Sequence, residues 1–133
     1  MLVQLLTHTP DPEQVVAAAA RLCYSASTIE QLFEKSRDER AALLRKILDL
    51  GHLSVLEHAT FTFGVEGISR ACSHQLVRHR IASFSQQSQR YVSHRERFAA
   101  VTPPSVAAQP ELTARFTALL DEIHTVYREL LEA

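Results

Sequence analysis

Arg78-His-Arg-Ile-Ala-Ser-Phe-Ser-Gln-Gln-Ser-Gln-Arg90 is the stretch around which the rest of the chain is organised. Its thirteen residues hold three arginines, one histidine, three serines and three glutamines, with no acid among them. Widened to Gly67–Arg95, the acid-free run contains five arginines, although the whole chain carries a formal charge of −1. Arginine is a permanent cation whose planar fork of donors grips phosphate or carbonyl oxygens in a bidentate way. Beside hydroxyl and amide donors, such a set suits an anion with polar edges, such as a nucleotide.

Local patterning places these residues on elements. Upstream, Ala59, Phe61, Phe63 and Val65 alternate with Thr60, Thr62, Gly64 and Glu66, which predicts a half-buried strand. Gly67 turns the chain, and a helix follows on which Ile68, Cys72, Leu76 and His79 share one face and Arg70, His74, Val77 and Arg78 another. Gln75, Arg78 and His79 then cluster at its C-terminal end, where a helix dipole also favours a cation. That dipole role does not account for Arg80 and Arg90, which follow without acidic partners. From Ile81 to Gln89 there is neither helical nor strand period, which predicts a loop presenting hydroxyl, amide and backbone N–H donors.

Together these residues resemble the signature of the flavin-dependent thymidylate synthases. The likeness is carried by Arg78-His79-Arg80, then seven residues, then Ser88, flanked by Ser73-His74-Gln75-Leu76-Val77, Ile81-Ala82-Ser83-Phe84 and Gln89-Arg90-Tyr91. A second block, His52-Leu-Ser-Val-Leu-Glu-His58 with Phe61-Thr62-Phe63, stands in the right order before it. The likeness is good over residues 20–105 and loose at the ends. It implies an α+β fold, an antiparallel sheet flanked by helices, assembled as a homotetramer with active sites shared between subunits. It further implies methylation of deoxyuridine monophosphate (dUMP) at C5, with methylenetetrahydrofolate as carbon donor and FAD, reduced by NADPH, as hydride carrier.

The resemblance assigns residues as well. It implies catalytic roles for Arg78, Arg90, Ser88 and His52, the last near the folate side of the flavin. Flavin contacts are implied for Ser54, Glu57, Arg78, His79, Arg80, Ile81 and Gln86. Nucleotide contacts are implied for Gln75, Leu76, Val77 and Arg78, and for Gln86, Gln87, Ser88, Gln89 and Arg90. Some family members carry Glu where this chain has Gln86, so a carboxylate there is not essential. Methylating uracil needs electron density at C5, supplied either by a nucleophile at C6 or by cations that draw charge onto the carbonyls. Cys23 and Cys72 lie outside the signature, and Ser88 has Gln86, Gln87, Gln89 and Arg90 as neighbours, none of them a base. Ser88 therefore reads as a binding hydroxyl, and Arg78 and Arg90 as electrostatic stabilisers.

The remaining chain bounds the alternatives. At 133 residues, with 46% hydrophobic and 22% charged content, residues 1–133 read as one soluble domain able to bury a core. The N-terminus lacks a basic signal region and nothing is long enough to span a membrane, which predicts a cytoplasmic protein without membrane partners. Two distant cysteines predict reduced thiols packed as small hydrophobes. His52-x5-His58 and His74-x4-His79 lack the spacing of a helical zinc pair, so no metal is expected. A nucleic-acid-binding module is the rival class. Against it, the pI is about 6.6 and only Phe84 and Tyr91 lie between Phe63 and Phe98 as aromatic platforms.

The flanking elements read clearly. Residues 2–7 predict a strand, and Asp11-Pro12-Glu13 a helix start with Asp11 as cap, running to about Tyr24. Thr28-x-x-Gln31, Ser36-x-x-Glu39 and Ser54-x-x-Glu57 have capping-box spacing, and Gly51 is placed to end the second of these helices. Tyr91–Ser93 and Phe98–Val101 suggest short strands, and His94–Arg97 a solvated connection. Pro110 opens a helix with Leu112, Phe116, Leu119, Leu120, Ile123, Tyr127, Leu130 and Leu131 in one apolar stripe. It reaches Ala133 in mid-pattern, which predicts that a C-terminal part of the usual family domain is missing; the alternative function is then an inactive or partial fragment acting as a nucleotide- or flavin-binding or assembly module.

Overall fold

The computed structural model describes residues 1–96 and 99–133. Arg97, from the expected connection, and Phe98, from an expected strand, lie outside the described residues. The chain is α+β, and it divides into two compact units: residues 2–65, and residues 66–133 together with Met1.

β1 (Leu2–His8) pairs with β2 (Phe61–Glu66) in a two-stranded antiparallel sheet that, apart from Glu66, belongs to the first unit. Thr9 and Thr60 clip its end: the Thr9 amide donates to the Thr60 carbonyl at 2.9 Å, and the Thr60 amide to Thr9 Oγ1 at 2.9 Å. The alternation in β2 does not produce half-burial, since Phe61 is 51% and Phe63 53% exposed. A sheet of two strands has few neighbours to cover either face.

Three helices follow: α1 (Pro12–Leu22), α2 (Ile29–Phe33) and α3 (Arg37–Asp49), then a 3₁₀ segment, Leu53–His58. The core sits where α1 meets the other three, and its buried residues are Val16, Ala17, Ala18 and Ala20 of α1, with Leu32 of α2 and Ile47 of α3. Pro12 takes the first helical position of α1 as expected. Asp11 does not cap with its side chain. Its backbone is left-handed at φ 40°, whereas side-chain capping requires an extended residue, and its carboxylate instead meets Arg40 Nη1 of α3 at 2.9 Å. Gln14 Nε2 donates to the Phe33 carbonyl at 2.7 Å, fixing α1 to the end of α2.

Thr28 and Ser36 form complete capping boxes with Gln31 and Glu39. The Ser36 backbone N–H, and then its hydroxyl, hold the Glu39 carboxyl below the usual glutamate range. The third expected box does not form. His52 is the residue that precedes the 3₁₀ segment, so Ser54 lies inside it, and neither Ser54 nor Glu57 makes a capping bond.

Gly51 stops α3 in a Schellman arrangement: its N–H donates to the Leu48 carbonyl at 3.0 Å and that of His52 to Ile47 at 3.1 Å. Its φ of 70° suits glycine, and a Cβ there would meet nothing within 4 Å. Gly51→Ala should therefore lower stability purely through backbone strain, by about 1–2 kcal/mol, read as a shifted denaturation midpoint at unchanged slope. An unchanged midpoint would contradict the assignment.

In the second unit, Gly67 turns the chain at φ 68° and α4 (Arg70–Leu76) follows. The described residues continue to α5 (Pro104–Ala107) and α6 (Pro110–Glu132), which pack together, Thr113 Oγ1 donating to the Val106 carbonyl at 2.9 Å. Tyr91–Ser93 is not a strand, nor are Ala99–Val101. The expected single stripe of α6 resolves into two. Thr113, Phe116, Leu120, His124 and Tyr127 are half-buried, while Leu119, Ile123, Val126 and Leu130, about a quarter-turn away at 100° per residue, stay exposed. Both thiols, Cys23 and Cys72, are free and exposed rather than packed inside. No helix among the described residues is long and apolar enough to cross a membrane.

Candidate functional site

The signature begins on α4. Ser69 caps this helix, its hydroxyl accepting from the Cys72 amide at 3.1 Å. The sequence reading missed this cap, because Cys72 stands where a capping box would carry Glu or Gln. The helix ends at Leu76, so Arg78 and His79 lie just beyond it rather than on its last turn. Their amides donate to the carbonyls of Gln75 and Leu76, each at 3.1 Å, in the tighter i→i+3 manner common at helix ends. Gln75, Leu76, Val77, Arg78 and His79 thus form one compact corner at the exit of α4.

From Ile81 to Gln89 the backbone follows no regular element, as the absence of period predicts. Two bonds nonetheless shape it. Gln86 Nε2 donates to Ser73 Oγ, tying the loop back to α4. Ser88 Oγ accepts from the Arg90 amide at 3.1 Å, and the Ser88 carbonyl accepts from the Val92 amide at 3.2 Å, folding the end of the loop into a turn. Ser88 is half-buried, while Gln86, Gln87, Gln89 and Arg90 are exposed.

Charge in this segment is unbalanced in three dimensions as in sequence. Arg78, Arg80 and Arg90 are exposed, and among the described residues the ion pairs Arg40–Asp11 and Lys35–Glu39 involve none of them. A cation left in water retains its full capacity to meet an anion, because no internal carboxylate competes for it. Ile81 is almost fully exposed at 97%. In the other unit, His52, Ser54 and Glu57 are also exposed, gathered on the 3₁₀ segment and its entry. No group of three His, Cys, Asp or Glu side chains able to hold a metal is found among the described residues.

Beyond the loop, the backbone of His94 is bonded to α6. Tyr127 Oη accepts from the His94 amide at 3.1 Å, and His124 Nε2 donates to the His94 carbonyl at 2.9 Å, which requires that ring nitrogen to carry the proton. His124 and Tyr127 stack with centroids 6.3 Å apart. His94 is thus held by the helix rather than merely solvated, a contact between residues 30 apart that local patterning could not signal. An open recess nearby is lined by Arg95, Arg128, Leu131 and Glu132, and none of the expected site residues enters it.

Comparison with known proteins agrees with the signature. Residues 4–133 match the family model of the thymidylate synthase complementing protein. The chain is 56% identical over 134 residues to a flavin-dependent thymidylate synthase of Geobacter sulfurreducens, an alignment covering 99% of this chain and 58% of that protein. To proteins of the same name from Nitratidesulfovibrio vulgaris and Pyrococcus abyssi it is 46% and 42% identical, covering 96% and 98% of this chain and 54% and 55% of theirs. It spans about half the length of these relatives. With nearly every residue inside the family match, and the arginine signature displayed on the exit of α4 and its loop, the chain belongs to the thymidylate synthase complementing protein family.

Proposed function

We propose that this chain acts as a flavin-dependent thymidylate synthase, in the reductive methylation of dUMP to dTMP with methylenetetrahydrofolate as carbon donor and NADPH as reductant. The observation that carries this reading is the set of exposed arginines Arg78, Arg80 and Arg90, unpaired among the described residues, around a hydrogen-bonded Ser/Gln loop. We propose further that residues 1–133 form the N-terminal portion of one domain with this family's fold, since all but the first three residues of the two compact units fall inside the family match.

The residues present fit a flavin as an anionic ligand. Permanent cations with no carboxylate partner are the donor set that a pyrophosphate requires. The family resemblance assigns flavin contacts to Arg78, His79, Arg80, Ile81 and Gln86; it assigns further contacts to Ser54 and Glu57, and a place toward the folate to His52. A bound flavin would supply the hydride, and the chain's part is to bind, orient and polarise.

The nucleotide falls to Gln75, Leu76, Val77 and Arg78, and to Gln86, Gln87, Ser88, Gln89 and Arg90. Ser88 Oγ is already an acceptor for the Arg90 amide and has no base among its partners, which supports a binding hydroxyl that donates its proton to a phosphate. The same bond keeps Arg90 beside Ser88. Arg78 and Arg90 are then the cations that draw charge onto the pyrimidine carbonyls and leave density at C5. Both cysteines lie outside this set.

Two measurements test the cofactor and the substrate. The purified protein mixed with FAD should retain the yellow flavin band after desalting, and its complete loss would count against the flavin assignment. Calorimetry should show binding of dUMP in preference to dCMP. Arg90→Lys should cost on the order of 1–3 kcal/mol, because a point charge cannot reproduce the two-donor fork. A non-specific polyanion patch behaves differently: affinity falls steeply with salt, the base is ignored and Arg90→Lys is nearly silent.

The family resemblance also motivates a homotetramer with sites shared between subunits. The exposed α6 face of Leu119, Ile123, Val126 and Leu130 is apolar surface such an assembly would cover. Sedimentation at micromolar concentration should give a tetramer, and a well-behaved monomer would refute the shared-site arrangement.

A further inference from the structure

The bond between Gln86 and Ser73 has a polarity that matters. Ser73 Oγ donates its single proton to the Arg70 carbonyl at 3.0 Å, one turn back on α4. The oxygen is then left only with lone pairs, so whatever approaches it from the loop must be a donor. The Gln86 amide satisfies this by presenting Nε2. A carboxylate at position 86 could not do so; Ser73 would have to abandon Arg70 and turn its proton outward. The helix thus dictates which end of a planar amide faces it. With the nitrogen held on Ser73, the amide oxygen takes the other side of the plane, and among the described residues Gln86 Oε1 accepts no hydrogen bond while its side chain is exposed.

We propose that Ser73 is a positioning residue that turns the Gln86 amide oxygen outward as a fixed acceptor, so that the site selects a nucleotide offering a donor, a ring N–H or a sugar hydroxyl. This rests on nucleotide binding by the Arg78–Arg90 segment as proposed above. The amide is symmetric in shape, and without Ser73 it turns over freely and meets donor and acceptor alike. Uracil carries a proton at N3 where cytosine carries a lone pair, and an acceptor of fixed orientation separates the two. A deoxynucleotide 3′-hydroxyl offers the same chemistry from the sugar.

Two readouts on the 133-residue chain decide the matter. In NMR spectra of the wild type, the Gln86 side-chain amide should exchange slowly and show contacts to the Ser73 β-protons. Ser73→Ala should abolish both and loosen residues 81–89 on the nanosecond scale, and Ser73→Thr, which keeps the hydroxyl, should restore them. A Gln86 amide signal unchanged in Ser73→Ala overturns the positioning role. In calorimetry, Ser73→Ala should reduce discrimination for dUMP over an analogue lacking the donor by roughly tenfold, the scale of one net hydrogen bond, and Ser73→Thr should recover it. If dCMP is the analogue whose rejection weakens, the donor read is the ring N–H; if the 3′-deoxy analogue, it is the sugar hydroxyl. Binding of dUMP with both discriminations untouched by Ser73→Ala sinks the specificity role alone. A wild-type chain that binds none of the three nucleotides sinks the proposed function and this role with it.

Discussion

Residues 2–65 depend on how closely other elements can approach the small-residue face of α1. Ala17, Ala18 and Ala20 are buried beside Val16, and α2, α3 and the 3₁₀ segment all meet this helix. Alanine side chains let backbones come near without opening voids, and interiors tolerate neither gaps nor crowding. Leu32 and Ile47 supply the bulk that the alanines lack. Around this small core, directional bonds fix the remaining freedom: Arg40 to Asp11 at the start of α1, and Gln14 to the Phe33 carbonyl at the end of α2. Arg40 Nε is buried and finds no acceptor, so that ion pair is made at some desolvation cost. His52, Ser54 and Glu57 are thereby carried on a segment whose placement follows from packing on α1.

Residues 66–133 are held together in another way. No described residue there is fully buried, and polar clamps between distant points do what a core does elsewhere. Ser69 caps α4, Ser73 takes Gln86, Thr113 takes Val106, and His124 and Tyr127 together grip the backbone of His94. Such bonds fix a loop without removing its charges from water. That matters for a segment bearing Arg78, Arg80 and Arg90, because burying an unpaired guanidinium is strongly unfavourable. The arrangement keeps the cations hydrated and leaves their neutralisation to a ligand. A firmly packed apolar core beneath the same loop would have required acidic partners, and the donor set would have been spent internally.

Much of the chain was legible because the relevant bonds are short in sequence. Thr28 with Gln31 and Ser36 with Glu39 close capping boxes within four residues, the amides of Gly51 and His52 satisfy carbonyls three and five residues back, and Pro12 and Pro110 start helices by their own fixed φ. The aperiodic run from Ile81 to Gln89 announced a loop for the same reason, since no regular pairing suits it. The family signature belongs here too, being a property of residue identity and spacing.

What only the tertiary structure decided are the outcomes that depend on partners far along the chain. Asp11 had the composition of a cap, but a left-handed backbone and Arg40, 29 residues away, redirected its carboxylate. Ser54 and Glu57 had the spacing of a capping box, yet the segment begins at Leu53 with His52 in the cap position and turns as a 3₁₀ helix, so the register is wrong. Phe61 and Phe63 alternated as a half-buried strand does, but alternation states only which face a side chain takes, not whether anything covers it. The same limit split the stripe of α6 and left Cys23 and Cys72 exposed. The Ser73–Gln86 bond spans 13 residues and joins a helix to a loop. Sequence determined that both side chains could hydrogen-bond; the fold determined that they do so with each other, and in which polarity, because geometry alone brings one lone pair to one amide proton.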